Sequence, residues 1–332
     1  MSFPKKTSIL IIKMPEANLE LEALLDYLKH SRGCDLTGYK SSSLMRRLQY
    51  RMRCININSY QSYQQYLHSE SDELPALLND VLIKVTSFFR DQYAWDYLAT
   101  EIIPKIITSK QTDEPIRVWS AGCATGQEIY SCLILLAEAL GIESCLKRVK
   151  CFATDADLAA IRRAQRGTYT ATEITGIPPA LQEKYFQYTN EGFVFHPELR
   201  CRIIFCCHDL TRDAPMSKID LLICRNVLIY FNLMAQQSIL VRFHFSLKQT
   251  GFLFMGKAEA IITRRQLFPP VSFQHHVYAK GLNLEKEDYS SLITSGKSRL
   301  IKDQHAINSN LIVKPPRHPQ QLLLKGVQSV ST

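Results

Sequence analysis

Carboxylates, guanidinium groups and glycines fall at a few telling places in this chain: Gly122-Cys-Ala-Thr-Gly126 followed by Glu128, then Asp155, His208-Asp209 and Arg225-Asn226. Glycines let the backbone come close to a ligand, and a carboxylate after a strand can accept both hydroxyls of a ribose. Asp155 equally suits capping of the helix that begins near Asp157. The Gly-x-Gly-x-x-Gly fingerprint is absent, since the loop offers only Gly122 and Gly126, which argues against a pyrophosphate. No Gly-x-x-x-x-Gly-Lys-Ser/Thr loop occurs, which excludes P-loop chemistry.

The elements that must position these residues follow from periodicity. Short apolar runs at Ile116–Ser120, Val149–Thr154, Ile203–Cys207, Ile219–Cys224 and Gly251–Met255 read as buried strands, with a late strand at Phe273–Tyr278. Helical spacing fills Glu128–Leu140, Asp157–Arg166 and Leu233–Leu247, so strands and helices alternate as in a parallel, doubly wound sheet. Ligands of such sheets bind outside the C-terminal strand ends, where all the residues above fall. A phosphate-free nucleoside such as S-adenosylmethionine fits this set. Thr189-Asn-Glu-Gly192 between aromatic runs predicts an inserted β-hairpin.

Upstream, Leu21, Leu24, Leu25 and Leu28 mark a helix, and a second begins at Ser41–Ser43 with Leu44, Leu48 and Met52 on one face. Helices are also expected over Tyr60–Leu67 and Leu74–Lys84, the last with Pro75 in its first turn. The second helix carries Lys40, Arg46, Arg47, Arg51 and Arg53, and no acid lies between Asp35 and Glu70. Such a charge run is usually a solvated face. Here Arg47 and Arg51 are like charges at i,i+4, which costs stability and favours a docking surface for something acidic.

The chain has 332 residues with a formal charge of +9, hydrophobic content of 46% and charged content of 21%. These values are those of a folded protein of roughly two domains. The basic balance suits an anionic partner. No apolar run reaches the ~18 residues of a membrane span, and no signal peptide is read. Ten scattered cysteines without a Cys-x-x-Cys pair suit reduced thiols and a cytoplasmic location. Cys206, Cys207 and His208 alternate faces of a strand, so no metal is expected.

Several segments together resemble the chemotaxis receptor methyltransferases, the CheR family. They are Tyr39-Lys40 with Arg46-Arg47-Leu48 and Arg51-Met52; Val85-Thr-Ser-Phe-Phe-Arg-Asp91; Val118 to Ser131; Phe152-Ala-Thr-Asp155; and Ile219 to Tyr230, which contains Cys224-Arg-Asn226. The resemblance spans about residues 15–280. It implies an all-helical N-terminal domain followed by a doubly wound, Rossmann-like S-adenosylmethionine-dependent methyltransferase domain with a small inserted β-hairpin subdomain. The expected boundaries are a leader over 1–14, helical domain 15–90, linker helix 91–114 and methyltransferase domain 115–281 with the insertion near 185–200. A disordered tail is expected over 282–332.

The resemblance also implies roles. Lys84, Thr86 and Arg90 would contact the methionine end of the cofactor, Arg90 pairing with its carboxylate, and Glu128 would receive its ammonium. Asp155 would hold the ribose, Asp209 and Leu210 the adenine, and Arg225 and Asn226 the methyl-donor end. Arg90 and Tyr230 would be catalytic, although an aromatic packed under the sheet end explains Tyr230 nearly as well. Arg46, Arg47, Arg51 and Arg53 would dock the acidic helices of methyl-accepting receptors. The implied reaction is methyl transfer to receptor glutamates by a monomer. The alternative is a cofactor-binding sensor or scaffold of the same fold without turnover. A nucleic-acid methyltransferase is disfavoured because no Asn/Asp-Pro-Pro-Tyr/Phe follows the fourth strand. The chain departs from the family pattern at Lys84, where Asn or Gly is usual, at Gln127-Glu128-Ile129 and at Gly256-Lys-Ala-Glu259.

Overall fold

Residues 16–82, 84–259 and 266–282 are described by a computed structural model. The expected leader over 1–14 and all but the first residue of the expected tail lie outside them.

Four helices open the chain: α1 (Glu16–Arg32), α2 (Ser41–Cys54), α3 (Tyr60–Ser69) and α4 (Glu73–Val81). Their apolar faces meet in one core built from Leu21, Leu24, Leu28, Leu44, Leu48, Met52, Tyr63, Leu67 and Leu77. The 3.6-residue spacing of Leu44, Leu48 and Met52 turns one stripe of α2 inward, as expected. Helix α4 stops at Val81 rather than continuing to Lys84; the β-branched Val85 and Thr86 that follow favour extended backbone.

The core of this bundle also holds an ion pair that corrects the reading of Arg51. Glu73 is 3% exposed. It accepts hydrogen bonds from Arg51 Nε at 2.9 Å, Arg51 Nη2 at 2.6 Å and Tyr63 Oη at 2.6 Å. Burial raises the Glu73 carboxyl, but the bonds from Arg51 and Tyr63 outweigh it and leave the pKa lowered. Arg51 therefore staples α2 to α4 and is not free for docking. Arg51→Ala leaves a buried carboxylate short of its cation, and a loss of about 3 kcal/mol is expected. Urea unfolding checks this, and an unchanged midpoint would refute the staple. Because the native Glu73 pKa is depressed, its contribution is complete above the unfolded carboxylate value and is lost as pH falls through the native one.

The expected linker helix runs without a gap over 92–108, as α5 (Gln92–Tyr97), a π turn at Leu98–Ile102 and α6 (Ile103–Thr108), with right-handed helical backbone at both junctions. Pro104 lacks the N–H of an ordinary helical bond, and the π turn just before it accommodates that loss.

Beyond the linker the chain alternates. Strand β1 (Ile116–Ala121) leads into α7 (Gln127–Leu140) and α8 (Ile142–Arg148), and β2 (Val149–Asp155) into α9 (Leu158–Arg166). Then come β3 (Thr168–Tyr169), α10 (Ala171–Ile174), α11 (Pro179–Tyr185), β4 (Phe186–Thr189), β5 (Gly192–Phe195) and α12 (Pro197–Arg200). The chain returns through β6 (Ile203–Cys207), β7 (Ile219–Cys224), α13 (Leu233–Ser246), β8 (Leu247–Met255), β9 (Pro270–Ser272) and β10 (Val277–Ala279). The main sheet has seven strands in the order β6-β2-β1-β7-β8-β10-β9. The first five are parallel and the last two antiparallel. All six residues of β7 are buried, as befits a strand covered on both faces.

Two details differ from expectation. Phe273–Tyr278 is not one strand: β9 and β10 are separated by a turn in which His276 has φ +56°. The inserted hairpin β4–β5 is present but gains a third strand, β3, in the order β3-β5-β4. A two-residue β3 is too short to show an alternation that sequence could reveal.

The helical bundle is stitched to the sheet at its C-terminal edge. Lys40 N–H donates to Tyr230 O and Asn232 N–H to Gly38 O, both at 2.8 Å, which makes a small antiparallel bridge between Tyr39 and Phe231. Arg212 reaches across to Asp35 at 3.2 Å and to Gly33 O at 3.1 Å.

Candidate functional site

Strand order reverses around β1: β2 and β6 lie to one side, β7 and β8 to the other. A crevice opens at such a switch point because the connections diverge to opposite faces. A cleft lies there. Its floor comes from Gly122, Ala124, Asp155, His208 and Asn226, and its far wall from Tyr39 and Leu82 of the helical part. Val85, Thr86, Ser87 and Arg90 run across it as a strap.

The loop after β1 is shaped by the end of β2. Gly122 and Cys123 N–H both donate to Thr154 O, at 2.7 and 2.9 Å. Gly122 has φ +83°, and a Cβ there would meet Val227 Cγ2 at 2.5 Å, so glycine is required on both counts. Asp155 Oδ2 accepts Ala124 N–H and Oδ1 accepts Asp157 N–H, each at 2.9 Å. Burial raises its pKa, opposed by those two amides and by Lys84. Each oxygen keeps a lone pair, so Asp155 holds the loop and can also accept ligand hydroxyls.

Glu128 lies in the first turn of α7 and is 8% exposed; Ser120 Oγ donates to its Oε1 at 2.7 Å. Burial pushes its pKa up to about 7, against the pull of Arg225 and the Ser120 bond. Arg90 Nη1 donates to Val85 O at 3.1 Å. Its guanidinium forms no ion pair among the described residues. Asp91 pairs with Arg225 at 2.7 Å, and Asp96 accepts from Gln92, so neither holds Arg90. The cleft thus offers a free guanidinium and a buried carboxylate at one end and Asp155 at the other. That set can hold a zwitterionic amino-acid group joined to a nucleoside.

Tyr230 lies at the rim. Burial raises its pKa while Arg90 and Arg47 lower it, so the helical part brings a cation toward the phenol. Asp209 turns its carboxylate onto Thr211 N–H at 2.8 Å and Thr211 Oγ1 at 2.7 Å, and Leu210 lines the cleft beside it.

Arg225 has a different task from the one expected. It is 7% exposed and donates to Arg90 O at 2.7 Å, Asp91 Oδ2 at 2.7 Å and Met255 O at 3.3 Å, above the Phe254 ring. Three of its five N–H groups go to the strap's end and to β8, so it positions Arg90 while still lining the cleft. Lys84 does not line the cleft at all. Its ammonium donates to Asn79 Oδ1 at 2.6 Å and pairs with Asp157 Oδ2.

Glu259 escaped sequence reasoning. It is 5% exposed and accepts three backbone N–H groups, Val227, Leu228 and Gly256, each at 2.7 Å. It fixes the loop bearing Asn226, whose Oδ1 is buried without a hydrogen-bond partner among the described residues. The segment Gly256-Lys-Ala-Glu259 after the last parallel strand was the only hint. Phe89, Asp91, Ala124 and Asn226 all have positive φ. Such strain costs of order 1–3 kcal/mol per residue and persists where the surroundings enforce it. Here Ser131, Arg225, Asp155 and the packing against Gly256 do so.

The family described as CheR methyltransferase, SAM binding domain, matches residues 84–277, and CheR methyltransferase, all-alpha domain, matches residues 19–82. A chemotaxis protein methyltransferase of Listeria innocua is 30% identical over 235 residues, covering 71% of this chain and 87% of that protein. One of Escherichia coli is 30% identical over 270 residues, covering 78% and 91%. An uncharacterised 104.1 kDa protein of Rhodobacter capsulatus is 33% identical over 258 residues, 78% of this chain but 27% of that protein.

Proposed function

The chain belongs to the CheR methyltransferase family, and on that premise we propose that it methylates glutamate side chains of chemotaxis receptors, giving glutamyl methyl esters and S-adenosylhomocysteine. The cofactor is S-adenosyl-L-methionine, which supplies an activated methyl on a sulfonium. The guanidinium of Arg90, without an ion pair among the described residues, and buried Glu128 line the same cleft and carry the reading, because these are the two charges an amino-acid zwitterion needs.

Arg90 binds the cofactor carboxylate with its planar fork, with Thr86 beside it, and Glu128 takes the ammonium. Asp155 accepts the ribose hydroxyls, Leu210 and the Asp209 turn flank the adenine, and Asn226 Oδ1 faces the donor end. The substrate carboxylate has an unperturbed pKa of about 4.3 and is already ionised, so no general base is required. The protein's part is to align that oxygen with the methyl and strip its water, with Tyr230 at the rim framing the approach. A scaffold would share this cofactor-binding set, and it is the likeness to chemotaxis protein methyltransferases that favours turnover over the scaffold alternative.

Exposed Arg46 and Arg53 on α2, with half-buried Arg47 near Tyr230, present a positive face to acidic receptor helices. We place the working protein in the cytoplasm, as a monomer. Among the described residues no single helix is long and apolar enough to cross a membrane.

Incubation with tritiated S-adenosylmethionine and receptor-bearing membranes, followed by alkaline release of methanol, tests the function. Volatile label is expected; binding without label would favour the scaffold. In the same assay Arg46→Glu with Arg53→Glu should lower transfer while cofactor affinity holds, and equal transfer would remove docking from α2.

The raised Glu128 pKa gives a pH signature. Below about 7 the cofactor-free site holds a proton that an incoming ammonium must expel. Affinity should rise with pH toward 7, by at most tenfold per unit. It should decline again once the ligand's α-amino group loses its own proton, near 7.7–8.0. Calorimetry in buffers of different ionisation enthalpy should detect proton release at pH 6, absent in Glu128→Gln. A flat profile below 7 would remove Glu128 from the ammonium site.

A further inference from the structure

The strap across the cleft is held unequally along its length. Its far end is anchored. Phe88 packs edge-on against Tyr169 and Phe186, with ring centroids 4.9 and 5.5 Å away, and Phe89 N–H donates to Ser131 Oγ at 3.0 Å. Arg90 O accepts from Trp95 Nε1 at 2.9 Å and from Arg225 Nη1 at 2.7 Å. The middle is held lightly: Val85 is 76% exposed, its carbonyl takes one bond from Arg90 Nη1 at 3.1 Å, and Thr86 and Ser87 make no side-chain hydrogen bond among the described residues. These same three residues line the cleft.

The near end is fastened by Lys84. Its ammonium bridges Asn79 Oδ1 on α4 and Asp157 Oδ2. Asp157 Oδ1 meanwhile caps α9 by accepting Ala159 N–H at 2.8 Å and Ala160 N–H at 3.2 Å, and Asp157 N–H donates to Asp155. One side chain therefore joins the end of the helical bundle, the start of the strap and the segment beside Asp155. The pair is only partly shielded, with side chains 24% and 10% exposed. An ion pair reached by water is weaker and more readily broken than the aromatic packing at Phe88.

We propose that the Lys84–Asp157 pair is a latch that closes the lightly held half of the strap over the cleft and must open for cofactor to enter and product to leave. Lys84 is a positioning residue in this scheme: it touches neither ligand nor reacting atoms, and it sets the exchange rate. The proposal rests on S-adenosylmethionine and its product occupying this cleft. Opening breaks no covalent bond; it exchanges the ion pair for hydration of both groups.

Stopped-flow displacement of S-adenosylhomocysteine from the full chain tests the latch. Lys84→Met and Asp157→Asn, the latter keeping a helix-capping oxygen, should each speed release by about five- to tenfold, the scale of one partly shielded ion pair. The double variant should be no faster than either single one, because both remove the same contact. Lys84→Arg should restore slow release. Release from wild type should quicken with added salt, and release from Lys84→Met should not. Far-UV circular dichroism confirms that each variant is folded. Unchanged release in folded Lys84→Met and Asp157→Asn, or effects that simply add, overturns the latch while leaving the cofactor site intact. Failure of the wild type to bind S-adenosylhomocysteine overturns both.

Discussion

Arg90→Ala is expected to weaken S-adenosylmethionine binding by about a hundredfold or more while the protein stays folded. A carboxylate held by a guanidinium makes two charge-assisted hydrogen bonds, and removing a charged partner costs about 1.5–3 kcal/mol for each bond. The fold should tolerate the change, because the structure uses the Arg90 backbone carbonyl, bonded to Trp95 and Arg225, rather than the guanidinium. The side chain gives up a single bond, to Val85 O. Arg90→Lys should recover part of the affinity, since an ammonium keeps the charge and loses the fork. Calorimetric titration of the three proteins decides the point. Wild-type affinity in Arg90→Ala would remove the carboxylate anchor and, with it, the reason for the strap to cross the cleft.

The contrast between Arg90 and Arg225 marks what sequence can and cannot reveal. Both residues sit in segments that drew attention, and both line the same cleft. Only the fold separates them: Arg225 donates to the Arg90 carbonyl and the Asp91 carboxylate, 135 and 134 positions earlier, while Arg90 has no acid to hold it. The parallel strands were legible because a strand covered on both faces must be a continuous apolar run, ended by the polar residues of the cleft. Ile203–Cys207 and Ile219–Cys224 were placed to the residue. The Phe273–His276 turn was not, since Phe273-Gln-His-His276 holds no Gly, Pro, Asn or Asp to mark a turn, and its bend depends on His276 taking a positive φ. Arg51 misled for a related reason. The absence of nearby acids made its charge look unused, but its partner Glu73 stands 22 positions on, on another helix. Charge arguments confined to one helix see i,i+4 neighbours and miss pairs that tertiary packing creates. Lys84 belongs to the same class, since its partner Asp157 lies beyond β2.

Glu259 carries the largest expected effect on stability. Three backbone N–H groups, from Val227, Leu228 and Gly256, converge on one carboxylate that is 5% exposed. Glu259→Ala would leave those donors buried without partners. Each orphaned group costs about 1–3 kcal/mol, with water entry offsetting part, so a loss of about 4 kcal/mol is expected. Space alone does not explain the site. Gly256 is packed so tightly that an added Cβ would meet Asn226 N at 2.7 Å, so the two loops have no slack to close the gap. Glu259→Gln should lose less, because its amide oxygen can accept two of the N–H groups, while its NH2 must face the third donor. Function should fail ahead of the fold. Asn226 holds φ +61° on the loop that Glu259 fixes, and that strain relaxes once the anchor is gone. In Glu259→Gln, cofactor affinity should therefore fall by more than the loss of stability explains, at temperatures where the variant is still fully folded. Urea unfolding and calorimetric titration on the same preparations separate the two effects. A Glu259→Ala protein with wild-type stability would mean that the Asn226 loop is held by packing alone.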